Sequence, residues 1–599
     1  MNNYKTIPEM FYSVVNSNLE KNIFNYKEQD KWNEITGEKI KHFIESISGG
    51  LRSFNINNND KVAIMSATSY KWALCDYGIL CNGSTTVTIY PTLIENQVEF
   101  ILNNSESKLV FVENEDQYKK IQNIKKKCPH LEKVILLDDS NNSDHDNVLN
   151  YSEFLGIGNR FVNDNTLNVE DLTSTINEND LVTLIYTSGT TGTPKGVMLS
   201  HKNLISNIKA VQQMQADIKN EKFLSFLPLS HVLERMAGHF YAMSIESKIY
   251  YAENMETVGA NMNEISPTVV ICVPRFFEKM HSKIIEGLSS APKLKIKLFN
   301  WALKTGKDYI NIKHAKQKPS LKLKMSHILA EKLIYSKVRA KLGGKIKFFI
   351  SGGAPLSSEI AEFFAGIGIT ILEGYGLTET SPVLTSNTPE DIRFGTVGKK
   401  LYNVDIKIAN DGEILAKGPN IMLGYYKNES ATSESIDNDG WFCTGDIGEI
   451  DNDGFIKITD RKKSLIVTSA GKNVAPAPIE NSIKTSDYVD QVIVIGDKRN
   501  FISALIVPHY ENVNTYLNSI NKDDLSYEAM IDHPKVIELF SKEIEDRMKE
   551  FSKFETIKKF KLLSRPFEIE KGELTPKLSI VRKKVLTNFN YEIESIYKG

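Results

Sequence analysis

Short apolar segments of strand length alternate with segments of helical length from about residue 60 onward. Strands that alternate with helices are typical of βαβ units, in which the strands pair in parallel and helices cover both faces of the sheet. The sequence therefore predicts an α/β fold with doubly wound, mostly parallel sheets. The predicted strands are KVAIMSA, STTVTIYP, KLVFVEN, LEKVILL, LVTLIYT, TVVICVP and KIKFFIS.

The chain is too long for a single hydrophobic core. It has 599 residues, and chains longer than about 250–300 residues divide into several domains. After residue 463 the pattern changes to a smaller α+β arrangement, with QVIVIGD and ISALIVP as predicted strands. We expect a large domain of several subdomains over residues 1–462 and a small α+β domain over residues 463–599. The polar stretch 139–180 is predicted to be a surface connection.

Charge and cysteine content exclude several classes of protein. The formal net charge is -2, so no global excess of positive charge indicates a nucleic-acid partner. The five cysteines form no CxxC pair, and a chain of this length does not need a disulfide framework. No signal peptide and no apolar run of bilayer length are found. We expect a protein of the reduced cytoplasm.

Residues 279–347 are strongly basic, with 18 Lys and Arg against three Asp and Glu on a largely helical pattern. A solvated basic helical face is the commoner origin of such a pattern. The alternative is contact with an anionic membrane surface, or with the phosphates of a large cofactor. The first interpretation is favoured, and the others stay open. The sequence does not predict an oligomeric state.

A loop rich in glycine and hydroxyl side chains, YTSGTTGTPKGV, spans residues 186–197. Glycines let backbone N–H groups approach a phosphate closely, and hydroxyls and a lysine add donors and charge. The loop differs from a P-loop, because Lys195 follows Pro194 and is not followed by Ser or Thr. It starts at the end of a predicted strand, where ligands of such sheets bind. The candidate phosphate contacts are Thr187, Ser188, Gly189, Thr190, Thr191, Gly192 and Lys195.

Four further segments follow this loop in the chain: SGGAPLS, EGYGLTET, DGWFCTGDIGEIDNDGFIKITDRKK and GELTPKLSIVRKK. Together, and in this order, the five segments resemble the adenylate-forming superfamily of acyl-CoA synthetases, peptide-synthetase adenylation domains and firefly-type luciferases. The segments LPLSHVLERMAGH, VPRFFEKMHSKI and SAGKNVAPAPIEN are similar to those of long-chain fatty acyl-CoA ligases.

The resemblance implies an activity and its reactants. Such enzymes join a fatty acid carboxylate to the α-phosphate of ATP, expel pyrophosphate, and pass the acyl group to the CoA thiol. ATP, Mg²⁺ and CoA are implied with a long-chain fatty acid, and the glycine-rich loop would hold the leaving pyrophosphate. Two alternatives stay open: loading of a carrier-protein pantetheine, and a non-catalytic acyl- or nucleotide-binding relative.

The resemblance also assigns residue roles. Asp446 matches the carboxylate that accepts both ribose hydroxyls, and Arg461 matches an arginine at the ribose or phosphate. Glu379 and Ser188 match the magnesium contacts. Thr378 matches a contact to the α-phosphate. The remaining nucleotide contacts that it implies are Gly353, Ala354, Pro355, Glu373, Gly374, Tyr375, Gly376 and Ile458, with Tyr375 stacked on adenine.

Two assignments carry an open alternative. His231 matches a position near the acyl carboxylate, although a capping or packing histidine is an equal alternative. Lys463 matches the hinge about which the mobile C-terminal domain of relatives rotates, although it could be one more surface charge.

The adenylation lysine departs from the family pattern. Long-chain relatives carry it three residues before an arginine, but here Ser579 stands three residues before the matching Arg582. The segment is predicted to be extended, so Lys577 and Ser579 point to the same side, about 6.6 Å apart. We expect Lys577 to replace the usual lysine, with Lys583 and Lys584 as weaker substitutes. Alternatively, Lys577 is solvated and adenylation is slow or absent.

Overall fold

A computed structural model describes most of the chain. The described residues are 4–139, 148–187, 194–215, 218–289, 291–314, 317–462, 465–469, 472–520, 525–549, 551–574 and 580–598.

Two large mixed sheets form the framework of the described residues up to 462. In the nine-stranded sheet the six inner strands pair in parallel, whereas antiparallel strands close both edges. The inner strand Val269–Cys272 is buried throughout, as expected where helices cover both faces of a parallel sheet. The spatial order is Lys399–Lys400, Val383–Ser386, Ile371–Gly376, Phe348–Ser351, Val269–Cys272, Lys222–Ser225, Lys248–Tyr251, Asn22–Glu28 and Lys31–Thr36.

The second large sheet has eight strands, six of them in one parallel block. The remaining two strands lie at one edge of the sheet, and each pairs antiparallel with its neighbour. The glycine-rich loop follows strand Leu181–Thr187, which borders this edge. The spatial order is Gly424–Tyr425, Lys195–Ser200, Leu181–Thr187, Thr85–Ile89, Lys61–Met65, Leu109–Val112, Lys133–Leu136 and Val148–Asn150. The predicted doubly wound α/β fold is therefore confirmed.

Three smaller sheets contain the remaining strands of the described residues. An antiparallel sheet holds Asp405–Ile408, Glu413–Lys417, Phe442–Ile450 and Ile456–Arg461. Beyond residue 464, Ile466–Val467 pairs with Asn473–Val474, and the strands Val489–Ile495, Ile502–Pro508 and Ile557–Leu562 form a mixed sheet.

Helices cover the sheets. Before residue 463 they are Ile7–Asn16, Gly37–Ser53, Tyr70–Cys81, Glu95–Ser105, Glu115–Ile124, Tyr151–Asp164, Val169–Leu172, His201–Met214, Ala242–Ser244, Val258–Ile265, Pro274–Ser289, Lys293–His314, Leu321–Ala330, Ser336–Ala340, Ser358–Gly366 and Glu429–Ser435. Glu234–Tyr241 and Glu331–Tyr335 are π-helical, and Lys125–Lys127, Thr173–Thr175 and Thr378–Thr380 are single 3₁₀ turns. Beyond residue 464 the helices are Pro476–Lys484, Tyr510–Ile520, Tyr527–Ile531, Pro534–Arg547, Arg582–Asn588 and Asn590–Lys598.

The part of the chain beyond residue 464 has its own core. Its buried apolar side chains form two clusters whose described members all lie between Ile466 and Ile596. A separate core favours the predicted division into domains 1–462 and 463–599, which stays a proposal.

The prediction that residues 139–180 form only a surface connection was wrong. A strand, Val148–Asn150, and a helix, Tyr151–Asp164, lie within them. The Glu153 carboxylate accepts a hydrogen bond from the Asn150 backbone N–H at 3.1 Å, which is one half of a capping box. Phe154 packs the helix into the core, so a polar composition concealed an amphipathic helix.

A fully buried ion pair connects helix Tyr70–Cys81 to the π-helical segment Glu234–Tyr241. Arg235, in the π-helical segment, donates from Nε and Nη2 to the two carboxylate oxygens of Asp76 at 2.8 and 2.6 Å. Thr86 donates to the same carboxylate at 2.7 Å. All three side chains are buried. Because a buried charge is costly without its partner, this pair fixes the π-helical segment against the helix that carries Asp76.

Glu234, the neighbour of Arg235, is buried on the same segment. Its Oε1 accepts a hydrogen bond from Ser225 at 2.6 Å, while Oε2 is among the buried atoms that lack a partner. Burial raises the pKa of Glu234 to about 8. The carboxyl is therefore protonated at neutral pH in the folded protein.

This protonation predicts a pH-dependent stability. The folded pKa, about 8, lies above the ordinary value of 4.5, so between these values the native state holds a proton that the unfolded chain has released. Stability due to Glu234 must therefore fall as pH rises through this window, by at most about 1.4 kcal/mol per pH unit. Glu234→Gln cannot ionise, so its stability relative to the parent should increase from pH 5 to pH 8 and then level off.

Denaturation midpoints of parent and variant across this pH range measure the effect. Glu256→Gln, at an exposed glutamate, is the matched control and should show no such trend. A difference between Glu234→Gln and the parent that stays constant with pH would contradict the protonated state.

Candidate active site

The predicted nucleotide motifs meet at the carboxyl end of two neighbouring parallel strands. The turn Gly353–Pro355 follows strand Phe348–Ser351, and Glu373–Gly376 ends the adjacent strand Ile371–Gly376. Gly353 has φ +80°, and a Cβ placed on it would meet only Leu233, at 3.9 Å. Gly353, Ala354 and Pro355 are exposed. The turn therefore presents open backbone to a ligand.

Asp446 is the central carboxylate of the site. The Tyr375 hydroxyl donates to its Oδ2 at 2.7 Å, and Arg461 Nε lies 3.0 Å from Oδ1. Arg461 stands opposite Asp446 in the antiparallel pair formed by Phe442–Ile450 and Ile456–Arg461. The site thus joins the nine-stranded sheet, through Tyr375, to the four-stranded sheet.

Burial has the largest effect on the pKa of the Asp446 carboxyl. It raises the pKa of the Asp446 carboxyl above its ordinary value, against the lowering effects of the Arg461 cation and the Tyr375 hydrogen bond. Burial and the neighbouring Asp446 charge raise the pKa of Tyr375. A carboxylate has about four acceptor positions, so Asp446 can still accept two ligand hydroxyls. Ile458 packs against the apolar cluster that contains Tyr375, which gives the phenol ring a fixed position.

The structure explains one of the three other predicted contacts around Tyr375, Gly376, without a ligand. A Cβ on Gly376 would lie 1.7 Å from the Pro382 carbonyl oxygen, so backbone packing alone requires glycine there. Burial raises the pKa of Glu373 to about 8, so this side chain is a neutral acid at pH 7. Gly374, whose added Cβ would lie 3.4 Å from the Thr385 carbonyl oxygen, is less restricted. Nucleotide contacts by Glu373, Gly374 and Gly376 stay predictions.

The predicted phosphate site combines a cation, a phenol and a carboxylate. Thr187 and Lys195 face each other across the hairpin that flanks the glycine-rich loop. Lys195 Nζ lies 4.9 Å from the centre of the Tyr425 ring, and the Tyr425 hydroxyl donates to Glu379 Oε1 at 2.9 Å. Thr378, next to Glu379, is buried. Tyr425 thus contacts both Lys195 and Glu379, and Thr187 lies across the hairpin from Lys195. Their contacts to phosphate and magnesium stay predictions.

Backbone hydrogen bonds hold the predicted phosphate site together. The Met422 N–H donates to the Glu379 carbonyl at 2.9 Å, and the Tyr426 N–H donates to the Gly196 carbonyl at 2.8 Å. The segment between them includes Tyr425, which sequence reasoning missed. Its surroundings, GYYK, lie outside the segments singled out from the sequence, and the pairing of strand Gly424–Tyr425 with Lys195–Ser200 brings it to the site.

Glu379 fits the predicted magnesium contact. Its carboxylate is half-buried and has a second oxygen beside the one that Tyr425 contacts. Among the described residues no group of three or more His, Cys, Asp or Glu side chains could hold a metal ion. Mg²⁺ commonly binds through one or two carboxylates, substrate phosphates and water, so one carboxylate beside a phosphate loop suits it.

His231 lies at the turn that leads into the π-helical segment. Its ring Nδ1 accepts the Leu233 backbone N–H at 3.1 Å. The backbone N–H of His231 donates to the Pro228 carbonyl at 2.9 Å. A neutral ring with Nδ1 as acceptor carries its proton on Nε2. This geometry supports the capping alternative, and the position near the acyl carboxylate stays a prediction.

Several predicted residues lie outside the described part of the chain. They are Ser188, Gly189, Thr190, Thr191 and Gly192 of the loop, the hinge residue Lys463, and Lys577. Arg582, the arginine of the C-terminal motif, is described: it donates to the Val494 carbonyl and forms an ion pair with Glu480. Its contacts therefore anchor the motif within the C-terminal part.

Comparisons with known proteins identify the family of the chain. The family model described as AMP-binding enzyme matches residues 12–426, and the one described as AMP-binding enzyme C-terminal domain matches residues 463–599. A long-chain-fatty-acid–CoA ligase, FadD15 of Mycobacterium bovis, is 36% identical over 569 residues, which cover 94% of this chain and 92% of that protein. The long-chain-fatty-acid–CoA ligase ACSBG2 of Xenopus laevis is 30% identical, covering 99% of this chain and 84% of that protein.

The fold likeness extends to solved structures. The adenylation domain of a carboxylate reductase from Mycobacterium chelonae superposes with a TM-score of 0.76 at 20% identity, covering 99% of this chain and 91% of that chain. The family matches and these identities lead to one conclusion: the chain belongs to the AMP-binding, adenylate-forming enzyme family.

Proposed function

We propose that the protein is an ATP-dependent ligase that converts a long-chain fatty acid to acyl-AMP and then to acyl-CoA, releasing AMP and pyrophosphate. The observation that carries the proposal is the buried Asp446 carboxylate, held by Tyr375 and Arg461 beside the open Gly353 turn. The names of the relatives that match nearly the whole chain support the fatty acid and CoA as reactants.

Asp446 would bind the ribose of ATP. Its two oxygens are already fixed by Tyr375 and Arg461, so the carboxylate needs no reorganisation to accept the two hydroxyls. Tyr375 would serve twice, since its hydroxyl holds Asp446 while its ring offers a face to adenine. Both groups would thereby orient the α-phosphate.

The first half-reaction brings together two anions. The fatty acid carboxylate attacks the α-phosphate of ATP, a P–O bond forms, and the bond to the β-phosphate's bridging oxygen breaks. Lys195 and the backbone of the glycine-rich loop would stabilise the departing pyrophosphate. A magnesium ion held with Glu379 would neutralise phosphate charge. Thr378 would contact the α-phosphate, and His231 would line the approach of the carboxylate.

In the second half-reaction the CoA thiol attacks the acyl carbon, and AMP leaves. Lys463 is proposed as the hinge that lets the domain 463–599 change its orientation between the two steps. Lys577 is proposed as the cation beside the attacked phosphate, in place of the lysine that Ser579 replaces. Both proposals rest on the sequence pattern.

The substrate class predicts a dependence on chain length. Each buried methylene contributes about 0.8 kcal/mol, so kcat/KM should rise about fourfold per methylene until the acyl site is filled. Pyrophosphate release with acetate, octanoate, palmitate and benzoate, each with and without CoA, measures this. Palmitate with CoA should be the best pair, and sustained turnover should require CoA.

Three outcomes would contradict the proposal. Best activity on acetate or benzoate would exclude a long-chain acid. Turnover with a phosphopantetheinylated carrier protein but not with CoA would support the carrier-loading alternative. ATP binding with no pyrophosphate from any acid would support a non-catalytic relative.

The ribose assignment predicts the effect of Asp446→Asn. The substitution keeps the shape but removes the charge, and each charge-assisted hydrogen bond contributes about 1.5–3 kcal/mol. Affinity for a non-hydrolysable ATP analogue should fall at least thirtyfold, roughly the effect of 2 kcal/mol. Because burial disfavours the Asp446 charge, the fold should stay as stable as the parent.

Calorimetric titration of the analogue measures this affinity, and Asp453→Asn is the control. Asp453 is an exposed aspartate that pairs with Arg393, so its substitution should leave affinity unchanged. Parent-like affinity of Asp446→Asn would exclude Asp446 from the nucleotide site.

A further inference from the structure

The helix Leu321–Ala330, within the basic region, exposes an apolar face. Leu321 is 80% exposed, Met325 73%, Ile328 68% and Leu329 49%. These four residues are called the apolar face below. Their spacing of four, three and one residues places them on one side of a helix. A solvated basic face, the interpretation favoured from sequence, would carry polar residues there.

The opposite side of this helix is packed. The His327 ring stacks on Tyr309 with 4.0 Å between ring centres, and Ala330 is fully buried. Downstream, the Tyr335 hydroxyl donates to the Ala302 carbonyl at 2.6 Å. The Ser320 hydroxyl caps the helix start by accepting the Leu323 N–H at 3.2 Å. The helix is therefore held in place with its apolar face outward.

Lysines border the apolar face. On a helical projection Lys322 and Lys324 lie on its two flanks, and both are exposed. Lys318 and Lys332, just before and after the helix, are exposed as well. From residue 293 to 347 the sequence has 16 Lys and Arg against two Asp and Glu. The face and its surroundings thus combine exposed apolar side chains with an excess of positive charge, although Lys307, Arg339 and Lys347 pair with acidic residues.

We propose that the apolar face binds the surface of an anionic lipid bilayer. Apolar side chains along one helix side with flanking lysines are the pattern of helices that lie in the membrane interface. The lysines would contact anionic headgroups while the four apolar side chains enter the acyl boundary. A helix that lies in the interface does not have to cross the bilayer. None of the described helices is long and apolar enough to do so.

The lysines near the apolar face favour an anionic lipid surface over a protein as its partner. An apolar patch on another protein would satisfy Leu321, Met325 and Ile328, but it would not need the lysines on the flanks and at the ends of the helix. A negatively charged lipid surface satisfies both features at once. It is also the phase into which the long-chain acids of the proposed function partition.

Vesicle flotation of the full-length protein tests the proposal. The parent should bind phosphatidylcholine vesicles that contain phosphatidylglycerol, and bind pure phosphatidylcholine at least about tenfold more weakly. High salt should weaken the binding, because it screens the lysines. The triple variant Leu321→Ser, Met325→Ser, Ile328→Ser should lose at least about tenfold in vesicle affinity, since the apolar contribution scales with buried area.

Matched controls separate this face from exposed apolar residues elsewhere. Ile94→Ser with Met255→Ser changes two side chains that are each 57% exposed and should leave vesicle binding unchanged. Lys322→Glu with Lys324→Glu should reduce binding to anionic vesicles. Pyrophosphate release with octanoate, which needs no membrane, should stay at the parent level in all these variants, so a failure of the proposed activity is distinguishable from a failure of membrane binding.

Several results would overturn the proposal. Absence of parent binding to anionic vesicles, or unchanged binding of the triple variant, would exclude the face. Release of the bound protein by CoA at constant salt would assign the lysines to cofactor phosphates. A parent dimer that the triple variant converts to a monomer in the absence of vesicles would show that a second copy covers the face.

Discussion

The buried carboxylate of Asp446 is the group on which the geometry of the site depends. A carboxylate removed from water must be compensated, and here Tyr375 and Arg461 each satisfy one oxygen. Tyr375 ends a strand of the nine-stranded sheet, whereas Asp446 and Arg461 are paired in the four-stranded sheet. The need to satisfy one charge therefore aligns two sheets, and the carboxylate keeps further acceptor positions.

A second connection, through backbone hydrogen bonds, fixes the predicted phosphate site. Segment Met422–Tyr426 bonds through its backbone to Glu379 on one side and Gly196 on the other. Tyr425 then lies between Lys195 and Glu379. A cation and a carboxylate held by a phenol form a surface that suits a metal–phosphate group better than either charge alone. The site is thus assembled from parts far apart in sequence, each held by backbone pairing.

The sequence predicted the parallel sheets because strands buried on both faces are continuous apolar runs, as in Val269–Cys272. It also singled out Asp446, Arg461 and Lys195, whose nucleotide contacts stay predictions, because motifs with chemical content lie at strand ends. It could not find Tyr425 or the protonated Glu234, because their roles arise from partners such as Glu379 and Ser225 that only the fold brings near. The outward apolar face at residues 321–329 was concealed for a related reason: periodicity shows that a helix has an apolar side, but not which side faces solvent.

In the first half-reaction the fatty acid carboxylate attacks the α-phosphate of ATP, and the other proposed steps depend on this attack. Incubation with palmitate labelled with oxygen-18 in both carboxyl oxygens, followed by mass spectrometry of the nucleotide and of pyrophosphate, tests it most directly. We expect a single labelled oxygen in AMP and unlabelled pyrophosphate, because the oxygen that bridges acyl carbon and phosphorus remains with AMP when CoA takes the acyl group. Label in pyrophosphate or inorganic phosphate, or unlabelled AMP formed together with acyl-CoA, would contradict it.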